Sequence, residues 1–259
     1  MKIDQVAVIT YTIRDFIKTP EDFRKSMKKV ADIGYRAVQI SGMDHAVMPA
    51  EEVAAVCKDN GLTICATHEK GEWILTEPER VVERLDILGC RYTAYPYPSG
   101  IDLSDASQVA DLIAKLNHAG SVLRQSGKVL AYHNHALEFF KGQDQRTILR
   151  RIYDETDAHN LQGEIDTYWV QLGGENPIEW CEFLKGRLPL LHIKDVGITD
   201  DRLPTMVEIG NGNLNFKKII AAAEQSGCEW FIVEQDRCPG DPFDSIAASF
   251  NYIKNNLVD

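Results

Sequence analysis

The stretch Ser126-Gly127-Lys128-Val129-Leu130-Ala131-Tyr132-His133-Asn134-His135 holds the organisation of the chain in miniature. A glycine closes a helix, a run of strand-forming residues follows, and the run ends in polar side chains. Glycine just past the last helical turn takes the left-handed conformation that ends the helix. The same punctuation recurs at Ile33-Gly34, Asn60-Gly61, Leu88-Gly89, Lys185-Gly186 and Ser226-Gly227. Helix starts are marked by Thr19-Pro20, Pro49, Glu77-Pro78, Asp105, Asn176-Pro177 and Asp241-Pro242. Proline in a first turn forfeits no hydrogen bond.

Eight strands are predicted in this way, at Gln5–Tyr11, Ala37–Ser41, Leu62–His68, Tyr92–Tyr97, Val129–His135, Gln162–Thr167, Leu190–Val196 and Trp230–Gln235. An amphipathic helix follows each. Phe23, Met27 and Val30 share a face of the first, and Val109, Leu112, Ile113, Leu116 and Leu123 form a stripe on the fourth. Phe216, Ile219, Ile220 and Ala223 do so on the seventh, and Ile246, Phe250 and Ile253 on the last. Alternating strands and helices make a parallel sheet. Eight units of about 32 residues predict a closed (β/α)8 TIM barrel, a single α/β domain over residues 1–259. An open dinucleotide-binding sheet needs Gly-x-Gly-x-x-Gly after its first strand, where this chain has Tyr11-Thr12-Ile13-Arg14. Gly210-Asn211-Gly212 is read as a turn.

Composition narrows the function. The chain is 44% hydrophobic and 26% charged, as a packed globular protein is. Its 39 acidic and 28 basic residues give a net charge of −11. That charge repels phosphate backbones and anionic lipid heads, so neither a nucleic acid nor a membrane is expected as partner. Apolar runs stay far below the roughly 18 residues that cross a bilayer. Met1-Lys2-Ile3-Asp4 opens without the apolar core and cleavage site of a leader, and a cytoplasmic location is expected. The six cysteines form no Cys-x-x-Cys pair, which predicts reduced thiols and no structural zinc site.

Barrel enzymes carry their reactive groups at the C-terminal ends of the strands. From the third strand to the eighth, five of six ends qualify, the fourth strand's being the exception: His68-Glu69, His133-Asn134-His135 running on to Glu138, Glu164-Ile165-Asp166, His192-Ile193-Lys194-Asp195 and Glu234-Gln235-Asp236. Alternation puts Glu164 with Asp166, His192 with Lys194, and Glu234 with Ile232. Carboxylates turned into a confined mouth repel one another and lose hydration, and a divalent cation removes both costs. Oxygens with an imidazole nitrogen suit Mn, Co, Mg or Zn. Plainer roles exist: Asp166 as a helix cap, His192 as a core histidine, Glu234 paired with Lys194 or Arg237, and Glu138 in a solvated loop. His45, His118 and His159 fall outside strand ends and are read as loop or surface residues.

The pieces Tyr132-His133-Asn134-His135-Ala136-Leu137-Glu138-Phe139, Glu164-Ile165-Asp166-Thr167, Leu191-His192-Ile193-Lys194-Asp195 and Val233-Glu234 together resemble the sugar phosphate isomerase/epimerase family of the xylose isomerase-like TIM-barrel superfamily. The resemblance implies one divalent metal ion held by Glu138, Asp166, His192 and Glu234, with His133 as the alternative to Glu138. Many epimerases of that family have glutamate where this chain has His133, and Gly-Glu-Gly where it has Gly210-Asn211-Gly212.

The implied activity is isomerisation or epimerisation of a sugar or keto-sugar through an enediolate. The alternative is a metal-dependent dehydratase or lyase, similar to inosose dehydratase or a keto-glycoside hydratase. A DNA-repair endonuclease of the same superfamily and a non-catalytic sugar-binding barrel rank lower. Glu138, Glu234 and His135 are candidate proton acceptors, and Lys194 a hydrogen-bond donor to the substrate oxygen. His68, His133, Trp169 and Arg237 are candidate substrate contacts, and Trp73, Trp169 and Tyr97 candidate stacking platforms. No phosphate-cradling loop stands out, which favours an unphosphorylated small sugar. A homo-oligomer is compatible with all of this.

Overall fold

The structure, a computed structural model, describes residues 1–258. Eight strands close into a parallel barrel: β1 (Val6–Ile9), β2 (Ala37–Ile40), β3 (Thr63–His68), β4 (Tyr92–Tyr95), β5 (Val129–His133), β6 (Leu161–Asp166), β7 (Leu190–Ile193) and, eighth in the ring, β10 (Trp230–Val233). β1 lies between β2 and β10, which closes the ring. All eight predicted strands are present, each within its expected segment or one residue beyond it. No helix is long and apolar enough to cross a membrane, among the described residues.

The wall of helices follows from the periodicities. In α1 (Pro20–Ile33), Thr19 Oγ1 accepts from Asp22 N at 3.1 Å, and Gly34 ends the helix at φ +128°. Phe23, Met27 and Val30 are fully buried, each contributing about 1.5–3 kcal/mol of apolar burial. The expected stripe of α5 (Ala106–Gln125) is buried along its length, as are Ile246, Phe250 and Ile253 of α10 (Pro242–Asn256).

Inside the ring the lower layer is small: Ala7, Ala37, Ala66, Ala94 and Ala131 pack with Leu190 and Ile232. Nearer the C-terminal ends the buried side chains turn polar, with Gln39, Glu164 and His192 all fully shielded. A bulge sets up this layer. Val38 pairs with Ile64 but Gln39 pairs with Ala66, so Cys65 is an extra residue on β3. Such a bulge re-aims the side chains beside it.

The seventh predicted strand, Leu190–Val196, divides in two. Lys194 N donates to Thr167 Oγ1 at 3.0 Å rather than to a neighbouring strand, and the ladder stops there. The chain then leaves the barrel as a hairpin, β8 (Asp195–Ile198) against β9 (Pro204–Val207). It returns through Gly210-Asn211-Gly212, where the turn expected from sequence is clipped to Asp195. Asp195 Oδ2 accepts from Gly210 N at 3.0 Å and Gly212 N at 3.1 Å. Its Oδ1 accepts from Val196 N at 2.9 Å and Leu214 N at 3.2 Å. Any side chain at Gly212 would collide with that carboxylate.

Candidate metal centre and active site

Two groups of four side chains gather at the barrel mouth, each with ligand atoms within 4.8 Å of one another: His133, Asp166, His192 and Glu234, and beneath them His68, His133, Glu164 and His192. Strand register explains the meeting. Asp166 is level with His192 across β6 and β7, and His133 with Glu164 across β5 and β6.

Proton positions separate the two groups. Gln39 Nε2 donates to Glu164 Oε2 at 2.7 Å, which turns Gln39 Oε1 toward His192 Nε2, also at 2.7 Å. His192 Nε2 therefore carries a proton. Its lone pair is on Nδ1 whenever Nδ1 is unprotonated, and Nδ1 lies 2.7 Å from Glu234 Oε2. His68 Nε2 is likewise committed to Glu164 Oε1, at 2.5 Å, with its Nδ1 3.2 Å from Ser41 Oγ. The lower group is thus a hydrogen-bonded cradle, and the upper group is the one with a nitrogen to offer. A ligating histidine held through its other nitrogen is the usual arrangement.

The upper group fits a cation. Asp166 Oδ1 accepts from Trp169 N at 3.0 Å, so Asp166 caps the short helix α7 (Thr167–Leu172) as well. Its Oδ2 is buried with no hydrogen-bond partner. The Lys194 ammonium lies 3.4 Å from Asp166 Oδ2 and 3.4 Å from Glu234 Oε2, and bonds Asp236 Oδ1 at 2.8 Å. Burial alone would discharge His192, but Glu164 and Glu234 outweigh it and raise its pKa to about 10. Burial alone would also protonate Glu234, yet Lys194 and His192 hold it well below the carboxylate range. Two cations are thus drawn between the carboxylates.

The other expected site residues divide. His133 and not Glu138 is what the fifth strand brings to the ligand group. Glu138 is fully buried and lies outside both groups. Its Oε2 accepts from His135 N at 2.8 Å and its Oε1 from the Tyr132 hydroxyl at 3.1 Å. The intervening 3-10 turn, Leu137–Phe139, folds it back under its own loop. His68, expected to touch substrate, belongs to the cradle. Trp73 is covered on its faces by His45, stacked at 4.5 Å, and by Arg80 at 3.6 Å, and is no open platform. His45 is more than a loop residue, because its Nε2 faces the buried Glu69 at 3.2 Å and Arg84 Nε faces the same carboxylate at 2.9 Å.

His135, Trp169, Lys194 and Glu234 do meet at the mouth. The Trp169 ring lies 5.0 Å from Lys194 Nζ and 5.6 Å from the His135 ring. Trp169 Nε1, His135 Nδ1 and Asn134 Nδ2 are buried without hydrogen-bond partners. Buried polar groups are nearly always satisfied, so three unpaired polar atoms at one mouth suit contact with a polar ligand. Trp169 and Arg237 both line a cavity of about 390 Å³ beside this cluster. Sequence reasoning missed Gln39 and the central place of Glu164; a lone amide in the apolar run Ala37-Val38-Gln39-Ile40 was the available signal.

Known proteins share this architecture. Inosose dehydratase of Lacticaseibacillus casei is 26% identical over 159 residues, which are 55% of this chain and 52% of that protein. The chain thus spans about half the length of the curated relatives it matches. A sugar phosphate isomerase/epimerase from Parabacteroides distasonis superposes with a TM-score of 0.82 at 22% identity, covering 99% of this chain and 96% of that one. A probable 3-DHS dehydratase, AsbF, from Bacillus anthracis superposes with a TM-score of 0.74 at 14% identity, covering 99% and 100%. The family model described as Xylose isomerase-like TIM barrel matches residues 27–256, and the chain belongs to that family.

Proposed function

We propose that the chain is a divalent-metal-dependent enzyme that removes the proton next to the carbonyl of a small keto-sugar or keto-cyclitol and expels a β-hydroxyl as water. One observation carries the reading: four buried side chains bring ligand atoms within 4.8 Å of one another, around a carboxylate oxygen that no donor satisfies. His133, Asp166, His192 and Glu234 would hold the ion. When bound, a dication polarises the carbonyl and stabilises the negative charge that develops there.

The chain's own groups supply the rest. Glu234 takes the proton, being kept ionised by the Lys194 ammonium despite its burial. The Lys194 ammonium, fixed by Asp236, hydrogen-bonds the substrate oxygen and supplies the proton with which the hydroxyl leaves. Asn134 Nδ2, Trp169 Nε1 and His135 Nδ1 receive the remaining hydroxyls. The six unpaired cysteines suit a reducing, cytoplasmic setting.

Sequence alone put isomerisation or epimerisation first. The position of Glu138 moves the weight, since inversion at carbon by two facing glutamates needs a second glutamate in the mouth. Elimination needs one base and one acid. The inosose dehydratase relative agrees. Epimerisation stays as the second reading because the unpartnered His135 imidazole faces the same mouth.

The test is incubation of the metal-loaded protein with a panel of inososes and keto-sugars in D₂O. A product lighter by one water supports elimination; deuterium gained at carbon without water loss moves the reading to epimerisation. Asp166→Asn and His192→Ala, purified without chelator, are expected to lose the ion while keeping their circular dichroism. Full metal content in either folded variant overturns the site.

A further inference from the structure

We infer that the substrate extends past the reacting carbons and ends in an anionic group, a carboxylate or a phosphate, held by Arg14 and Arg237. The inference rests on the proposed function only for where the reacting end lies. The cavity of about 390 Å³ beside the ligand cluster is lined by Trp169 and Asp236 on its inner side, by Met206 of the β8–β9 hairpin, and by Tyr11, Arg14 and Arg237 on its outer side. That volume is within the range of small-molecule sites. It abuts the cluster directly, because Asp236 bonds the Lys194 ammonium and the Trp169 amide donates to Asp166 Oδ1.

The charges in its lining do not cancel. Asp236 is the one carboxylate there among the described residues, and Lys194 already engages it at 2.8 Å. Arg14 is held rigidly: its guanidinium stacks 4.5 Å from the Tyr11 ring centre, with Nη1 on Tyr11 O at 3.0 Å and Nη2 on Asp236 O at 2.9 Å. Those partners are neutral carbonyls, and no carboxylate pairs with it among the described residues. Arg237 is exposed, and no ion pair or side-chain hydrogen bond engages its guanidinium among the described residues. Two arginines with no ion pair to a carboxylate among the described residues, in a protein of charge −11, border one cavity.

A guanidinium fixed in place with donors to spare is suited to binding a carboxylate or phosphate. On the other side of the same arginines lies a second hollow, of about 510 Å³, but Asp15 and Asp241 line it. The anion is therefore assigned to the inner cavity. This revises the preference for an uncharged sugar drawn from the lack of a phosphate loop, because side chains from the β1 and β10 loops supply the charge such a loop would.

Calorimetric titration tests this with D-glucuronate, D-glucose 6-phosphate and, as neutral control, D-glucose, on both metal-loaded and chelator-treated protein. At least one anion is expected to bind about tenfold or more tightly than glucose, and less tightly as salt rises. Which anion prevails separates carboxylate from phosphate. Arg237→Gln, at an exposed position, is expected to lose that preference. Arg14→Lys, which keeps the charge but not the fork, is expected to lose part of it. Equal binding of all three sugars, or an unchanged preference in Arg237→Gln, overturns the inference. Retention of the preference in chelator-treated protein shows that the subsite stands whether or not the metal reading does.

Discussion

Replacing Gln39 with leucine removes two hydrogen bonds of 2.7 Å from a fully buried layer, one to His192 Nε2 and one to Glu164 Oε2. Leucine is close in size, so packing changes little and the loss is mainly polar. Each buried partner left unsatisfied costs about 1–3 kcal/mol. His192 retains Glu164 Oε1 at 3.2 Å, which softens its share. The ring is then no longer forced to present Nδ1 to the upper group. Loss of such an outer partner weakens metal binding by about 10–100-fold, or roughly 1.4–2.8 kcal/mol. Competition against a chromophoric chelator, with Co²⁺ or Zn²⁺, measures the affinity, and urea unfolding of chelator-treated protein measures the stability. Gln39→Glu separates the two bonds, since it keeps an acceptor for His192 but sets a carboxylate against Glu164. If Gln39→Leu is destabilised yet binds metal as the parent does, Gln39 only glues the core and the argument from proton positions fails.

Glu138 gives a pH-dependent prediction. Burial raises its pKa from 4.5 to about 7, so the folded chain holds the proton more tightly than the unfolded one. Its contribution to stability is complete below about pH 4.5 and is lost as pH rises toward 7, a change of about 3 kcal/mol. Urea midpoints across that window should show the parent losing that stability relative to Glu138→Gln as pH rises; parallel curves refute it. Asp195→Ala strips the acceptor from four backbone N–H groups. A loss of about 3 kcal/mol or more is expected, with faster proteolysis confined to residues 196–214. Uniform cleavage along the chain would speak against a local clip.

The barrel was readable because each strand and helix announces itself locally, through glycine after a helix, proline at its start and apolar periodicity between. Alternation within one strand likewise predicts that Glu164 and Asp166 share a face. It does not say which residue of another strand stands opposite, because that depends on stagger around the ring and on the extra residue Cys65. Gln39 and Glu164 were therefore passed over as partners, although both stand in the sequence. Glu138 misled for a related reason. A carboxylate beyond a strand end looks available, but a single 3-10 turn is enough to fold it inward onto Tyr132 and His135. The β8–β9 hairpin was hidden because Asp195-Val196 continues the apolar run of β7, and only the diversion of the Lys194 amide to Thr167 ends the ladder. The arginines of the cavity beside the ligand cluster lie in loops from opposite ends of the sequence, brought together by ring closure between β1 and β10.

Because Asp195 gathers amides from both where the hairpin departs and where it comes back, the excursion is a loop tied off at its neck. Residues 197–207 can be lengthened, trimmed or exchanged with little leverage on the strand that carries His192 and the Lys194 that follows it. A laboratory wishing to alter what this protein accepts has a natural graft point there: new hairpins can be spliced above the knot while the machinery below keeps its alignment.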